Sequence, residues 1–175
     1  MLSINLKWLV DHSVCEEGKN WFIARYKGSI NADEFIEVLI AEKQLKWTNW
    51  LLVRILDRTN CIKYAVFSAE QVLDRFELWD SKDKKPRTAI EAVQKYLLDP
   101  SEQNKVAVVK SAKAVSCYGT GHPIGSKAFA SATNAVVNEV NIADAGTSYA
   151  EAYTATNSVV RKKILEYGLE LLKSQ

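Results

Sequence analysis

An all-helical fold is what this sequence predicts, and three observations carry that reading. Between Ile62 and Phe76 the apolar residues recur at intervals of three and four, only three prolines and seven glycines punctuate 175 residues, and the strong helix formers Ala, Leu, Glu and Lys are plentiful. An all-β sandwich needs more turns than that. At this length the chain fits a single domain, residues 1–175, burying on the order of 70% of its unfolded surface, so neither disulfide nor metal is needed for stability. The expectation is one compact all-α domain of about eight helices, with helical hairpins packed in a bundle or short stack.

Residues 1–14 alternate weakly, Leu2, Ile4 and Leu6 preceding Trp8, Leu9 and Val10, and fit either a short strand or an irregular lead-in. From Cys15 onward, Glu16 and Glu17 put acidic residues in the first turn of a helix that carries Trp21, Phe22 and Tyr26 and closes at Gly28. Asn31, with Glu34 three residues on, has the spacing of a capping box for the next helix, whose buried side is Phe35, Ile36, Val38, Leu39 and Leu45. Trp47, Trp50, Leu51, Arg54 and Ile55 form a further short helix before residues 57–60 turn the chain. The tryptophans here read as core, because a base-stacking platform would need basic residues interleaved with them.

The strongest periodic signal follows. Ile62, Ala65, Val66, Ala69, Val72, Leu73 and Phe76 share one stripe of a helix, while Lys63, Glu70, Asp74 and Glu77 face elsewhere. The run from Asp80 to Lys85 is wholly polar and must bend in water. Pro86 then starts a second helix, with Thr88 and Glu91 spaced as a capping box and Ala89, Ile90, Val93 and Leu97 as its apolar face. Pro100 disfavours the helical conformation at Asp99 and ends it. Asp57 to Leu98 is therefore a helical hairpin.

Residues 105–157 hold twelve alanines, so helices there can approach closely through small side chains while gaining little hydrophobic energy per residue. Asp99 and Glu102 bracket Pro100 as a capping box, and Val106, Val109, Ala112 and Lys113 lead on toward Tyr118. The loop Gly119 to Gly125 breaks the run, after which Ser126 can cap a helix bearing Phe129, Ala132, Val136 and Val140. A last helix from Gly146 carries Tyr149, Ala152, Tyr153, Val160, Ile164, Tyr167 and Leu171.

Composition narrows the function classes. Lys and Arg number 23 against 21 Asp and Glu, which gives no global attraction to nucleic acid or an anionic membrane, and neither is expected as a partner. Cys15, Cys61 and Cys117 match neither a disulfide framework nor a zinc spacing, so reduced thiols in the cytoplasm and no metal or cofactor are expected. The first ten residues lack the basic and long apolar regions of a signal peptide, and no run of 18 apolar residues occurs.

No catalytic motif passes a spacing test. The Gly119 to Gly125 loop has glycines that could expose N–H groups to an anion, but Gly125-Ser126-Lys127 has the wrong order for a phosphate loop. His122 in that loop has no assignable carboxylate partner. Asp11, His12 and Cys15 invite a nucleophile-and-base reading, yet no oxyanion donor can be assigned to them. Lys82, Lys84, Lys85 and Arg87 form the densest basic run, diluted by Asp80 and Asp83, and Arg161, Lys162 and Lys163 wrap around their helix.

Several fragments carry a likeness to a known family: Cys15-x-x-Gly18-x-x-Trp21-Phe22, Trp50-Leu51-Leu52-x-Arg54, Ala65-x-x-x-Ala69-x-x-Val72-Leu73, and Pro86-Arg87-x-Ala89-Ile90-Glu91-Ala92 before an alanine-rich tail. Their order resembles the immunity proteins of bacterial polymorphic-toxin loci, an alanine-rich helical family also found in phage and prophage. The Gly119 to Gly125 loop and its polar neighbours depart from that pattern. The resemblance implies a non-enzymatic intracellular protein that protects its producer by binding a cognate toxin, and it carries over no catalytic residues. Partner contact is expected from the exposed bend and helix ends, at Asp80, Asp83, Arg87, Glu91 and His122, with charge complementarity speeding association. The alternative is a phage or prophage accessory factor, associated with nucleic acid or acting as a small enzyme through His122 or the Cys15 region. A homodimer through the Tyr149 and Tyr153 stripe is compatible with either.

Overall fold

The structure, a computed structural model, describes residues 2–116, 126–137 and 157–175. Among the described residues the elements are β1 (Ser3–Ile4), α1 (Leu6–Asp11), α2 (Glu16–Arg25), β2 (Ile30–Asn31), α3 (Ala32–Ala41), α4 (Leu45–Ile55), α5 (Arg58–Trp79), α6 (Lys85–Leu98), α7 (Glu102–Val115), α8 (Ser126–Val137) and α9 (Ser158–Lys173). The fold is all-α as the sequence predicts, with a small two-stranded ladder in addition. The strand option for the N-terminal residues is the one realised: Ser3 pairs with Asn31 and Ile4 with Ile30, antiparallel. Asn5 then accepts the N–H of Trp8 and starts α1, a helix the weak alternation concealed.

The 22-residue helix α5 organises the rest. Asp57 caps it by accepting the N–H of Asn60, so residues 58–60 lie inside the helix rather than in a turn before it. Every member of the expected stripe is buried, and so are Tyr64 and Ser68 on an adjoining face. The second buried face follows from position: α6 and α8 cover one side of α5, and α9 covers the other. Consecutive helices α6, α7 and α8 pack on one another, while α9 also reaches α3 and α4. Buried apolar side chains from Ile4 to Leu171 join in one core cluster.

Three interior hydroxyls among the described residues are satisfied within their own helices. Ser68 donates to the carbonyl of Tyr64, Ser111 to that of Ala107, and Thr133 to those of Phe129 and Ala130. Asn60 instead joins two helix ends: its side-chain amide donates to Asp57, to the carbonyl of Leu171 and to Gln175, whose own amide donates to the carbonyl of Ile55. Gly168 lets α9 come close, since a Cβ there would stand 2.7 Å from Leu52 Cδ1 and 2.9 Å from the Tyr64 ring. Among the described residues two non-glycines, Ser13 and Lys43, adopt left-handed backbone, each with φ 59°.

Several local expectations need correction. The helix after Cys15 ends at Tyr26, in extended backbone, rather than at Gly28. Asn31 and Ser101 stand at N-cap positions without making the side-chain bond, and Thr88 lies inside α6 behind Lys84, so none of the three proposed capping boxes forms. The buried face of α7 is Asn104, Val108, Ser111 and Val115, whereas Val106 is exposed. Asn157 has an extended backbone and accepts the N–H groups of Val159 and Val160, so α9 starts at Ser158 and no continuous helix runs through from Gly146. Cys117, the Gly119 to Gly125 loop with His122, Val140, and the Tyr149 and Tyr153 stripe lie outside the described residues.

Candidate functional site

The bend between α5 and α6 is built by its own carboxylates. Asp80 Oδ1 accepts the backbone N–H groups of Lys82 and Asp83 at 3.1 and 3.2 Å, and Asp83 Oδ1 accepts that of Lys85 at 2.9 Å. Asp83 also forms an ion pair with Lys85 at 3.6 Å, its side chain only 16% exposed. Short acidic side chains do this well because they bond backbone one to three residues on. Two of the expected contact residues are thus turned inward to shape the chain.

Arg87 is engaged as well. Its guanidinium donates through Nε and Nη2 to the two oxygens of Glu77, at 2.7 and 2.6 Å, a two-point bond that ties the start of α6 to the end of α5. The bond holds the Glu77 carboxyl below its ordinary range, first through the hydrogen bond and then through the charges of Arg87 and Lys84. Glu91, one turn further along α6, is exposed and free of such a tie among the described residues.

Glu91 lies in the wall of a groove of about 720 Å3 between α6 and α7, roofed at one end by the bend. The three-residue connection 99–101 turns α7 back along α6. Thr88, Ala92, Ala107, Ser111 and Ala114 make a floor of small side chains. Around it stand Lys82, Lys84, Lys85, Lys95 and Lys110, against the carboxylates of Asp83 and Glu91, a surplus of three positive charges in one concavity. Lys82, Lys95 and Lys110 make no ion pair among the described residues. The local field is therefore strongly positive although the whole chain carries only +2.

The structure brings Asp83, Glu91 and the basic run to this groove and sets Asp80 and Arg87 beside it. Sequence does not single out Lys95 and Lys110, because they stand 15 residues apart on two consecutive helices and only the docking of α7 on α6 brings them together. The spacing of Ala107, Ser111 and Ala114 is the signal that could have indicated the close approach.

The Asp11, His12 and Cys15 reading finds no geometric support. Asp11 pairs with Lys7 at 2.8 Å, His12 stacks on Trp8 at 3.8 Å and bonds its carbonyl, and Cys15 Sγ accepts the N–H of Gly18 as the cap of α2. Cys61 is half-buried, and burial with the nearby Asp57 charge pushes its thiol up to about 11, so it stays protonated near neutrality. Among the described residues no group of His, Cys, Asp or Glu is arranged to hold a metal ion, and no helix is long and apolar enough to cross a membrane.

Fold and site together define an all-helical protein with a positively charged concave face between α6 and α7. Comparison with protein-family models, curated proteins and solved structures gives no match to this chain.

Proposed function

We propose that this chain is a non-enzymatic binding protein of the immunity type, which neutralises a cognate toxin by direct contact in the cytoplasm of its producer. The observation that supports this reading is the α6–α7 groove, whose five lysines suit a partner with an acidic ridge. Of the Pro86 to Ala92 fragment, the sharpest piece of the family resemblance, Thr88, Glu91 and Ala92 line that groove. A protein fits better than a nucleic acid. No aromatic ring lines the groove to stack a base, and the exposed Glu91 would repel phosphates while pairing with a basic residue at the edge of a mixed-charge protein surface.

The experiment is affinity recovery from the native cell, with wild-type protein beside a Lys82→Glu, Lys95→Glu, Lys110→Glu variant. Wild type recovers a single toxin-like protein in near-equal amounts, and the variant, folded by circular dichroism, recovers none of it. Equal recovery by both, recovery of no protein under several conditions, or co-purification of nucleic acid would each overturn the reading.

A further inference from the structure

A second concavity, independent of the groove, lies where α1, α2, α3 and α4 meet. It encloses about 320 Å3, within the size range of small-molecule sites. Its walls are aromatic: Trp21 from α2, Phe35 from α3, and Trp47 and Trp50 from α4. The sequence assigns these tryptophans to the core, but all three are only half-buried and frame an opening.

The rings are held by one another and by neighbours outside the cavity. Trp8 meets Trp50 edge-on at 6.3 Å, Trp47 meets Trp21 edge-on at 5.8 Å, and Phe35 tilts against Trp21 at 6.0 Å. Arg25 lies 4.1 Å from the centre of Trp21 and Arg54 lies 4.2 Å from that of Trp50, and neither guanidinium lines the cavity. With their orientations fixed by these neighbours, the rings form preorganised flat walls, which reduces the ordering cost of binding a flat guest. The polar residues of its lining are Ser13, on a left-handed turn, Cys15 and the exposed Lys46.

We propose that this cavity binds a small planar aromatic anion, its ring against the indole walls and its charge toward Lys46. An aromatic cage ordinarily attracts cations. Here two of the indoles already carry a guanidinium, and the one charged side chain in the lining is positive, so a cationic guest meets repulsion. An anion of the same shape meets attraction.

Calorimetric titration of the whole protein at neutral pH with 2-naphthoate, 2-naphthol and 2-naphthylmethylammonium tests this directly. 2-Naphthoate binds with 1:1 saturation about fivefold more tightly than the neutral naphthol, the ratio that one exposed charge pair supplies. The cation binds weakest. Lys46→Glu, a change at an exposed position, removes the preference for the anion, and Val14→Phe, which fills the cavity, abolishes binding of all three. No saturable binding of 2-naphthoate, equal affinity for naphthoate and naphthol, tightest binding of the cation, or indifference of the naphthoate affinity to Lys46→Glu would overturn the proposal.

Discussion

Arg87 shows how a single side chain changes role between sequence and structure. Its place after a charged bend makes it a natural contact residue, yet the Nε–Nη2 edge of its guanidinium is occupied by Glu77. Sequence cannot show this, because ten residues and a bend separate the pair and their meeting depends on the angle at which α6 leaves that bend. The bond has a pH consequence. Glu77 holds its proton less tightly when folded than its ordinary value of 4.5, so as pH falls through that value the unfolded chain takes up the proton first and the folded state loses stability. Urea unfolding between about pH 6 and about pH 3 will therefore show a steeper acid-side loss for wild type than for Glu77→Gln. Parallel profiles would mean that the pair contributes nothing to folding.

Among the elements, the α5–α6 hairpin was legible and α7 was not. A long stripe of Ile, Val, Leu and Phe against charged residues fixes which way a helix faces. In α7 valine, alanine and serine lie on every side, so packing on α6 and α8 chooses the face, and Asn104 enters the interior because its amide bonds Asp99 in the preceding turn. The capping boxes failed for a related reason: the spacing of Thr88 and Glu91 is right, but Asp83 already bonds the N–H of Lys85 and the helix starts earlier. Element α9 hides a different feature. Gly168 looks like a weak point in a helix, where alanine would gain about 1 kcal/mol of propensity. The Cβ would, however, collide with Leu52 and Tyr64, both fully buried, and Tyr64 is held by its bond to Asn49. Overpacking outweighs propensity, and Gly168→Ala will lower stability by about 1–3 kcal/mol in chemical denaturation. A more stable variant would show that α9 packs less closely than described.

At the level of the molecule, the all-helical class followed from composition and period, while the concavities came only from tertiary assembly. The groove requires α7 to fold back on α6, and the aromatic cavity requires four helices from the first third of the chain to converge. The two-residue strands β1 and β2 were equally hidden, since a ladder that short leaves no period to read. Closure of the fold rests on residues far apart in sequence. Asn60 and Gln175 tie the start of α5 to the end of α9, with Asp57 N–H donating to Gln175 at 2.8 Å. Asn60→Ala removes three of these bonds from a nearly buried position and will cost about 1–3 kcal/mol. Combined with Gln175→Ala, the loss will be smaller than the sum of the two single effects, because the residues share partners. Strict additivity in a double-mutant cycle would mean that they act separately.

The hydroxyls of Ser68, Ser111 and Thr133 have a consequence for how the chain can drift in evolution. Each bonds only carbonyls of its own helix, so in the interior between α5, α6, α7 and α8 these groups set no axial registry between neighbours. Registry is pinned instead outside the interior, by Glu77 with Arg87 and Glu70 with Gln94 between α5 and α6, and by Asn60 with its partners at the start of α5. Substitutions in the middle that keep side-chain size can be absorbed by small slips of one helix along another. Loss of an end pin has no such remedy, and the helix it held is left without a fixed stop.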